Sequence, residues 1–346
     1  MNPHAKLITL FSLLLGSTIV TSSNHWTMTW AGLEINTLAI IPMISKSHHP
    51  RAIEASIKYF LVQATASAII LLSSTINAWA TGQWDITMLT NNTSCLLLTM
   101  ALAMKLGLVP FHFWFPEVLQ GSSLTTALLL STLMKLPPLS ILLISSNSLN
   151  PTLLTVMSLT SAALGGWAGL NQTQTRKIMA FSSISHLGWM ILIISYMPKL
   201  TILTFCLYTI LTSAIFLSLS SSNITKMSTM MSSWMKNPPL NATLMLTLLS
   251  LAGLPPLTGF LPKWLIIQEL TKQEMTPTAL TIALLSLLSL FFYLRLTYYS
   301  TITLPPNVTN YTKHWFLKKT THTLIAPLTS LSTLLLPLSP TILTMI

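Results

Sequence analysis

The chain has 346 residues, of which 51% are hydrophobic and only 7% are Asp, Glu, Lys or Arg, against roughly a quarter charged in a soluble domain. Six acids cannot solvate a globule of this length, and the apolar runs at 7–20, 66–76 and 279–293 have no polar face, so an ordinary water-soluble protein is excluded. The net charge of +11 comes from 17 cations spread thinly along the chain, which excludes a dense basic stripe for nucleic acid and reads instead as a topology signal.

At roughly 30 residues per span and connection, the length accommodates about eleven transmembrane helices in one all-α, polytopic membrane domain covering 1–346. The predicted spans are 3–21, 25–45, 52–79, 92–120, 123–146, 151–170, 174–196, 199–221, 240–271, 276–299 and 323–345. No small-residue cleavage site follows Val20, so the first run is read as a retained helix. Alternating the loops puts Lys6, Lys46, Arg51, Arg176, Lys177, Lys226, Lys236, Lys313, Lys318 and Lys319 on the side of the N-terminus, and only Lys199 and Lys272 opposite. That asymmetry follows the positive-inside rule and places the N-terminus in the compartment of synthesis. The loop 300–322, with Pro305 and Pro306, is the longest extramembrane piece.

In chain order, the first chemical feature is Glu34, inside the second span. The fourth span holds Lys105, then Gly107-Leu108-Val109-Pro110 and Pro116, with His112 between the prolines and Glu117 after them. The pattern G-L-x-P-x5-P recurs at Gly253-Leu254-Pro255-Pro256 and Pro262, followed by Lys263. Proline removes the donors that would serve the carbonyls of Leu106, His112, Ala252 and Thr258, so both spans, about 92–120 and 240–271, are predicted to break at mid-membrane. Unwound backbone at that depth belongs beside protein or a hydrated cavity, and paired broken helices point to a transport site. Lys135 precedes Pro137-Pro138, which free the carbonyls of Leu133 and Met134. His186 ends the stretch Ser182-Ser183-Ile184-Ser185, whose hydroxyls can hold water.

Each central charge costs about 2.5–3.5 kcal/mol on insertion scales, so Glu34, Lys105, Lys135 and Lys263 together cost roughly 10–14 kcal/mol. Pairing, a water-filled path or both must justify that cost. Lys105 and Lys263 lie too deep to snorkel, Lys135 can instead be a structural ammonium against freed carbonyls, and Arg295 lies nearer a span end. A lone intramembrane histidine, as at His112 and His186, is either a hydrogen-bonded packing residue or a proton relay. Glu117 is either a cap or a relay. The helix dipole favours the ammonium of Lys105, near the C-terminal end of its half-helix, and opposes that of Lys263, near the N-terminal end of its own.

The remaining features carry no chemistry. Cys95 and Cys206 lie in apolar runs without C-x-x-C spacing, the histidines at 4, 25, 48, 49, 314 and 322 fall in termini or loops, and no metal site is expected. Gly165-Gly166-x-x-Gly169 lies in an apolar helix and is read as packing.

The segments 104–121, 177–186 and 254–263, with Lys105, His112, Pro116, Glu117, His186, Pro262 and Lys263 in order, resemble the signature segments of the antiporter-like subunits of respiratory complex I. The resemblance runs over essentially the whole chain and is to mitochondrial members of mammalian type. It implies a fold of antiporter-like inverted repeats with two discontinuous helices, in the mitochondrial inner membrane, N-terminus to the matrix and C-terminus to the intermembrane space. It implies a proton-translocating subunit of an enzyme whose NADH, FMN, iron–sulfur clusters and ubiquinone are bound elsewhere, with no cofactor on this chain. Its partners would be neighbouring antiporter-like and small accessory subunits, and membrane lipid. Residue by residue, the resemblance pairs Glu34 with Lys105, passes protons to Lys135, makes Lys263 the exit residue and lines the path with His186. Bacterial relatives usually carry further helices before the glutamate-bearing one, so the chain is expected to be shortened at its N-terminus. A self-contained cation/proton antiporter and a structural scaffold subunit are the alternatives.

Overall fold

In the computed structural model, residues 3–47, 49–233, 238–302 and 323–344 are described. His48, His314, His322, Lys236, Lys313, Lys318, Lys319, Pro305 and Pro306 lie outside them. The described residues are helical, with no strand among them, and group into two compact units: 1–161 with 194–198, and 162–193 with 199–346.

The first unit begins with α1 (Pro3–Ser22) and α2 (Trp26–Ile44) packed on each other. Their contact depends on small residues, since a Cβ on Gly32 would lie 2.7 Å from Val20 Cγ2 and 3.0 Å from Gly16 O. The outer face of α1, with Leu7, Ile8 and Phe11, is exposed, as suits a surface in contact with hydrocarbon. Helix α3 (Pro50–Thr81) has 32 residues, about 48 Å against a hydrocarbon core of about 30 Å, so it projects beyond that core. His25 caps α2 by accepting from Thr27 N–H, and His49 caps α3 by accepting from Arg51 N–H, so these two loop histidines have local structural roles.

The break predicted in the fourth span is present. Helix α4 (Asn92–Leu106) ends at Gly107, whose φ of 74° is the left-handed cap conformation, and α5 (Trp114–Gly121) resumes after the turn. Next come α6 (Leu124–Ser131) and α7 (Leu136–Ile144), separated by a 3-10 turn over Leu133–Lys135. The span predicted at 123–146 is thus interrupted rather than continuous. The prolines at 137 and 138 instead tighten the preceding turn, and the Leu133 carbonyl freed by Pro137 accepts from Leu136 N–H.

The second unit begins within α8 (Pro151–Gly169), at Ala162, and takes in most of α9 (Thr175–Ile194) and α10 (Pro198–Ser221) and all of α11 (Met227–Ser233). Gly165 lets α8 approach α9 closely, as its packing role predicts: a Cβ there would meet Ser185 N at 2.8 Å and Phe181 O at 3.0 Å. The second predicted break separates α12 (Pro238–Ala252) from α13 (Phe260–Lys272), with Gly253 at φ 84°. Helix α14 (Thr276–Ile302) is unbroken, and the last segment divides into α15 (Ile325–Leu334) and α16 (Ser339–Thr344). Among the described residues, six helices or helix pairs are long and apolar enough to cross a membrane, and Asn92–Leu106, Pro238–Ala252 and Ile325–Leu334 are shorter apolar helices.

Many serine and threonine hydroxyls are satisfied within their own helices. Ser182, Ser183 and Ser185 on α9 donate to the carbonyls of Met179, Ala180 and Ser182 at 2.7–2.8 Å. This is how a hydroxyl-rich helix tolerates an apolar solvent. Their protons are thereby engaged with backbone, leaving only oxygen lone pairs to receive water near His186.

Candidate proton-transfer clusters

The first unit places Lys105 and Lys135 on one cavity lined by Tyr59, Gln63, Trp114 and Phe115, among others. It leaves about 10 Å³ for the centre of a water molecule, enough for about one. Lys105 comes from the last turn of α4 and is 6% exposed, and its Nζ has no hydrogen-bond partner among the described residues. Its surroundings are fixed by backbone contacts: Gln63 Nε2 donates to Lys105 O at 3.4 Å, and Trp114 Nε1 donates to Met104 O at 3.1 Å. Lys135, 2% exposed at the 3-10 turn, holds its ammonium 4.8 Å from the centroid of the Phe115 ring, a cation–π contact. The structure therefore brings Lys105 and Lys135 to one cavity.

Glu34 is half-buried on α2, and its Oε2 has no hydrogen-bond partner among the described residues. Its carboxylate is within electrostatic reach of both Lys105 and Tyr59. Among the described residues the ion pairs join Lys58 to Glu54 and Glu117, and Lys272 to Glu269. Glu34 and Lys105 thus stand near one another without closing a contact pair. His112 is buried in the first break with its ring 4.2 Å from that of Phe113, but it does not line the cavity. Glu117 faces outward and accepts from Lys58 Nζ at 2.6 Å, so it is a surface ion-pair partner and makes no side-chain cap to α5.

In the second unit, Lys263 enters α13 beside a cavity lined by His186, Trp189, Thr204, Tyr208, Pro262 and others. This cavity leaves about 30 Å³ for water centres, room for about two or three molecules. Lys263 Nζ donates to Ala252 O at 2.8 Å and lies 5.9 Å from the Trp189 ring centroid. Ala252 O is one of the carbonyls that Pro256 deprives of its helical donor, so the ammonium fills the role of the missing N–H. Two other freed carbonyls are met by backbone: His112 O accepts from Phe115 N–H, and Thr258 O from Leu261 N–H. The His186 ring lies 5.6 Å from that of Tyr208. Arg295 lies away from this group, donating from Nη1 to Leu170 O and stacking on Tyr299.

The residues that sequence reading missed are aromatic or amide side chains at these cavities: Tyr59, Gln63, Trp189 and Tyr208. Tyr59 and Gln63 are spaced i, i+4 and so share a face of an apolar helix, a signal that identifies them once the span itself is assigned. Among the described residues no group of His, Cys, Asp and Glu is arranged to hold a metal.

Comparison with known proteins agrees with this architecture. A family model for the transmembrane region of NADH:quinone oxidoreductase/Mrp antiporter proteins matches residues 23–289, and one for the C-terminus of NADH dehydrogenase subunit 2 matches 290–343. NADH-ubiquinone oxidoreductase chain 2 of Struthio camelus is 74% identical over 99% of this chain and 99% of its own length. That of Gallus gallus is 73% identical, with both chains fully covered. In the solved respiratory complex I from Thermus thermophilus, one chain is similar with a TM-score of 0.82 and 26% identity, covering 97% of this chain and 80% of that one. A chain of the Mrp complex from Dietzia shares the fold at a TM-score of 0.79 and 19% identity, with 86% and 60% covered. The chain belongs to the NADH:quinone oxidoreductase/Mrp antiporter family and, within it, to the chain 2 members of NADH-ubiquinone oxidoreductase.

Proposed function

We propose that this chain is a proton-translocating membrane-arm subunit of respiratory complex I in the mitochondrial inner membrane. In this reading eleven crossings put the N-terminus in the matrix and the C-terminus in the intermembrane space. The observation that carries the reading is the convergence of Lys105 and Lys135, both buried, on one small cavity, with Glu34 in electrostatic reach of Lys105, in a chain of this family. Electron transfer from NADH to ubiquinone takes place in other subunits of the complex, with which this chain assembles through neighbouring antiporter-like and small accessory subunits.

The chemistry is proton transfer without covalent intermediates. When the Glu34 carboxylate closes on Lys105 it holds the ammonium. When it withdraws, the ammonium is left without a counter-charge, and its proton passes through water to Lys135. Lys263, with His186 beside it, delivers a proton to the side that carries the C-terminus. Because the sites are coupled, titration belongs to the chain of groups and not to single residues. His112, in the first break but off the cavity, has the weaker support as a relay.

The test is the proton-to-electron ratio of the assembled complex in proteoliposomes. Lys105→Met, Lys135→Met and Lys263→Met are each expected to lower it while assembly persists. Full pumping in Lys263→Met would remove its exit role, and full pumping in all three would make this chain a scaffold.

A further inference from the structure

Seven buried polar atoms in the first unit have no hydrogen-bond partner among the described residues: Trp26 Nε1, Trp30 Nε1, His112 Nδ1, Ser195 Oγ, Glu34 Oε2, Tyr59 Oη and Lys105 Nζ. The last three come from α2, α3 and α4 in turn, and α2 packs on α3 as α3 packs on α4. Polar atoms buried in native proteins are normally satisfied by protein or ordered water, and Tyr59 and Lys105 line the same cavity, which marks a shared polar site there. Tyr59 is 1% exposed, lines the cavity with Lys105 and Lys135, and is held by its ring against Trp114 at 5.8 Å. The Glu34 carboxylate is in electrostatic reach of Tyr59 as it is of Lys105.

The donor and acceptor inventory decides the role. An ionised carboxylate only accepts and an ammonium only donates, whereas a phenol does both. The neighbouring polar side chains are turned to backbone, Gln63 Nε2 donating to Lys105 O and Trp114 Nε1 to Met104 O. Trp30, one turn before Glu34 on α2, offers a donor only. We propose that Tyr59 is the positioning residue of the Glu34–Lys105 pair, its hydroxyl donating towards the carboxylate and accepting from the ammonium, directly or through one water, so that the two charges couple without touching. This rests on the proposed proton route and assigns the element within it that sets when the pair opens.

Tyr59→Phe removes the hydroxyl and keeps the ring on Trp114. In the assembled complex in proteoliposomes, we expect proton transfer through this subunit to slow by about tenfold, the weight of one hydrogen bond, with NADH oxidation retained under uncoupled conditions. In a Glu34→Gln background the same substitution should add nothing, because the partner it positions is gone; a purely structural tyrosine would give an additive loss. Wild-type pumping in Tyr59→Phe, or additivity with Glu34→Gln, would overturn the proposal. Lys105→Met separates the two levels: normal pumping there sinks the route itself, whereas lost pumping there with normal pumping in Tyr59→Phe sinks only the role of Tyr59. Should Tyr59→Phe not assemble, the phenol C–O infrared band of ring-labelled tyrosine decides. A shift of that band on Glu34→Gln supports the contact, and an unshifted band overturns it.

Discussion

Gly253→Ala tests whether the second break is built to seat Lys263. Gly253 has φ 84°, and a Cβ there would lie 3.0 Å from Lys263 Cδ, 3.0 Å from Nζ and 3.1 Å from Cε. The left-handed backbone alone costs an alanine about 1–2 kcal/mol. The lysine tail is flexible and yields to the new methyl, but yielding takes Nζ off Ala252 O, which it now reaches at 2.8 Å. A hydrogen bond to a charged group contributes about 1.5–3 kcal/mol, so the combined loss is about 2.5–5 kcal/mol. Gly82→Ala is the internal control: φ is 73° but nothing lies within 4 Å of the added Cβ, so only the backbone contribution remains, about 1–2 kcal/mol. Thermal stability and the proton-to-electron ratio of the assembled complex should both fall in Gly253→Ala, whereas Gly82→Ala should lose some stability and pump normally. Equal stability losses in the two variants, with Gly253→Ala pumping normally, would refute the argument that this glycine exists for the lysine.

Two further outcomes follow from the packing. Gly165→Ala forces a methyl to within 2.8 Å of Ser185 N and 3.0 Å of Phe181 O, both backbone atoms that cannot swing aside. Overpacking of about 1–3 kcal/mol should lower assembly yield, measured by native gel electrophoresis. Lys58→Met removes the shared partner of Glu54 and Glu117, which it meets at 2.5 and 2.6 Å on an exposed face. Exposed ion pairs contribute little and are screened by salt, so pumping should be unchanged and any stability loss should disappear at high ionic strength.

Both helix breaks were legible because proline and glycine act through local sterics that sequence alone specifies: Gly107 and Gly253 take positive φ, and each helix stops one residue before. The lysines were legible because an ionisable residue in an apolar run is expensive wherever it packs. What stayed hidden depends on partners distant in sequence. Pro137 and Pro138 read as a source of free carbonyls, yet the chain tightened into a 3-10 turn and Leu136 N–H took one of them. Glu117 read as a cap or relay until Lys58, 59 residues away, turned out to hold it. Tyr59 gave no signal of its own, because a tyrosine in an apolar helix is ordinary until its hydroxyl is found buried beside Lys105.

The dipole contrast drawn from sequence, favourable at Lys105 and opposed at Lys263, changes once the side chains are in place. Lys105 sits on the C-terminal turn of α4, and Lys263, although it belongs to the N-terminal turn of α13, reaches back to the terminal carbonyl of α12. Both ammoniums therefore lie at the negative end of a half-helix, one by position and the other by reach. The two are not held equally. A cation at a helix C-terminus gains about 0.3–1 kcal/mol, up to about 2 when partly buried, while an explicit charged hydrogen bond contributes about 1.5–3 kcal/mol, against an insertion cost of about 2.5–3.5 kcal/mol. Lys263 thus comes close to balance with the carbonyl of its own break, whereas Lys105 does not reach balance from backbone alone and needs Glu34, Tyr59 or water. That inequality is what a coupled carrier requires: the site whose charge depends on a movable neighbour is the one a conformational signal can switch, and the site balanced by fixed backbone is the one that can hold a proton whatever the neighbour does.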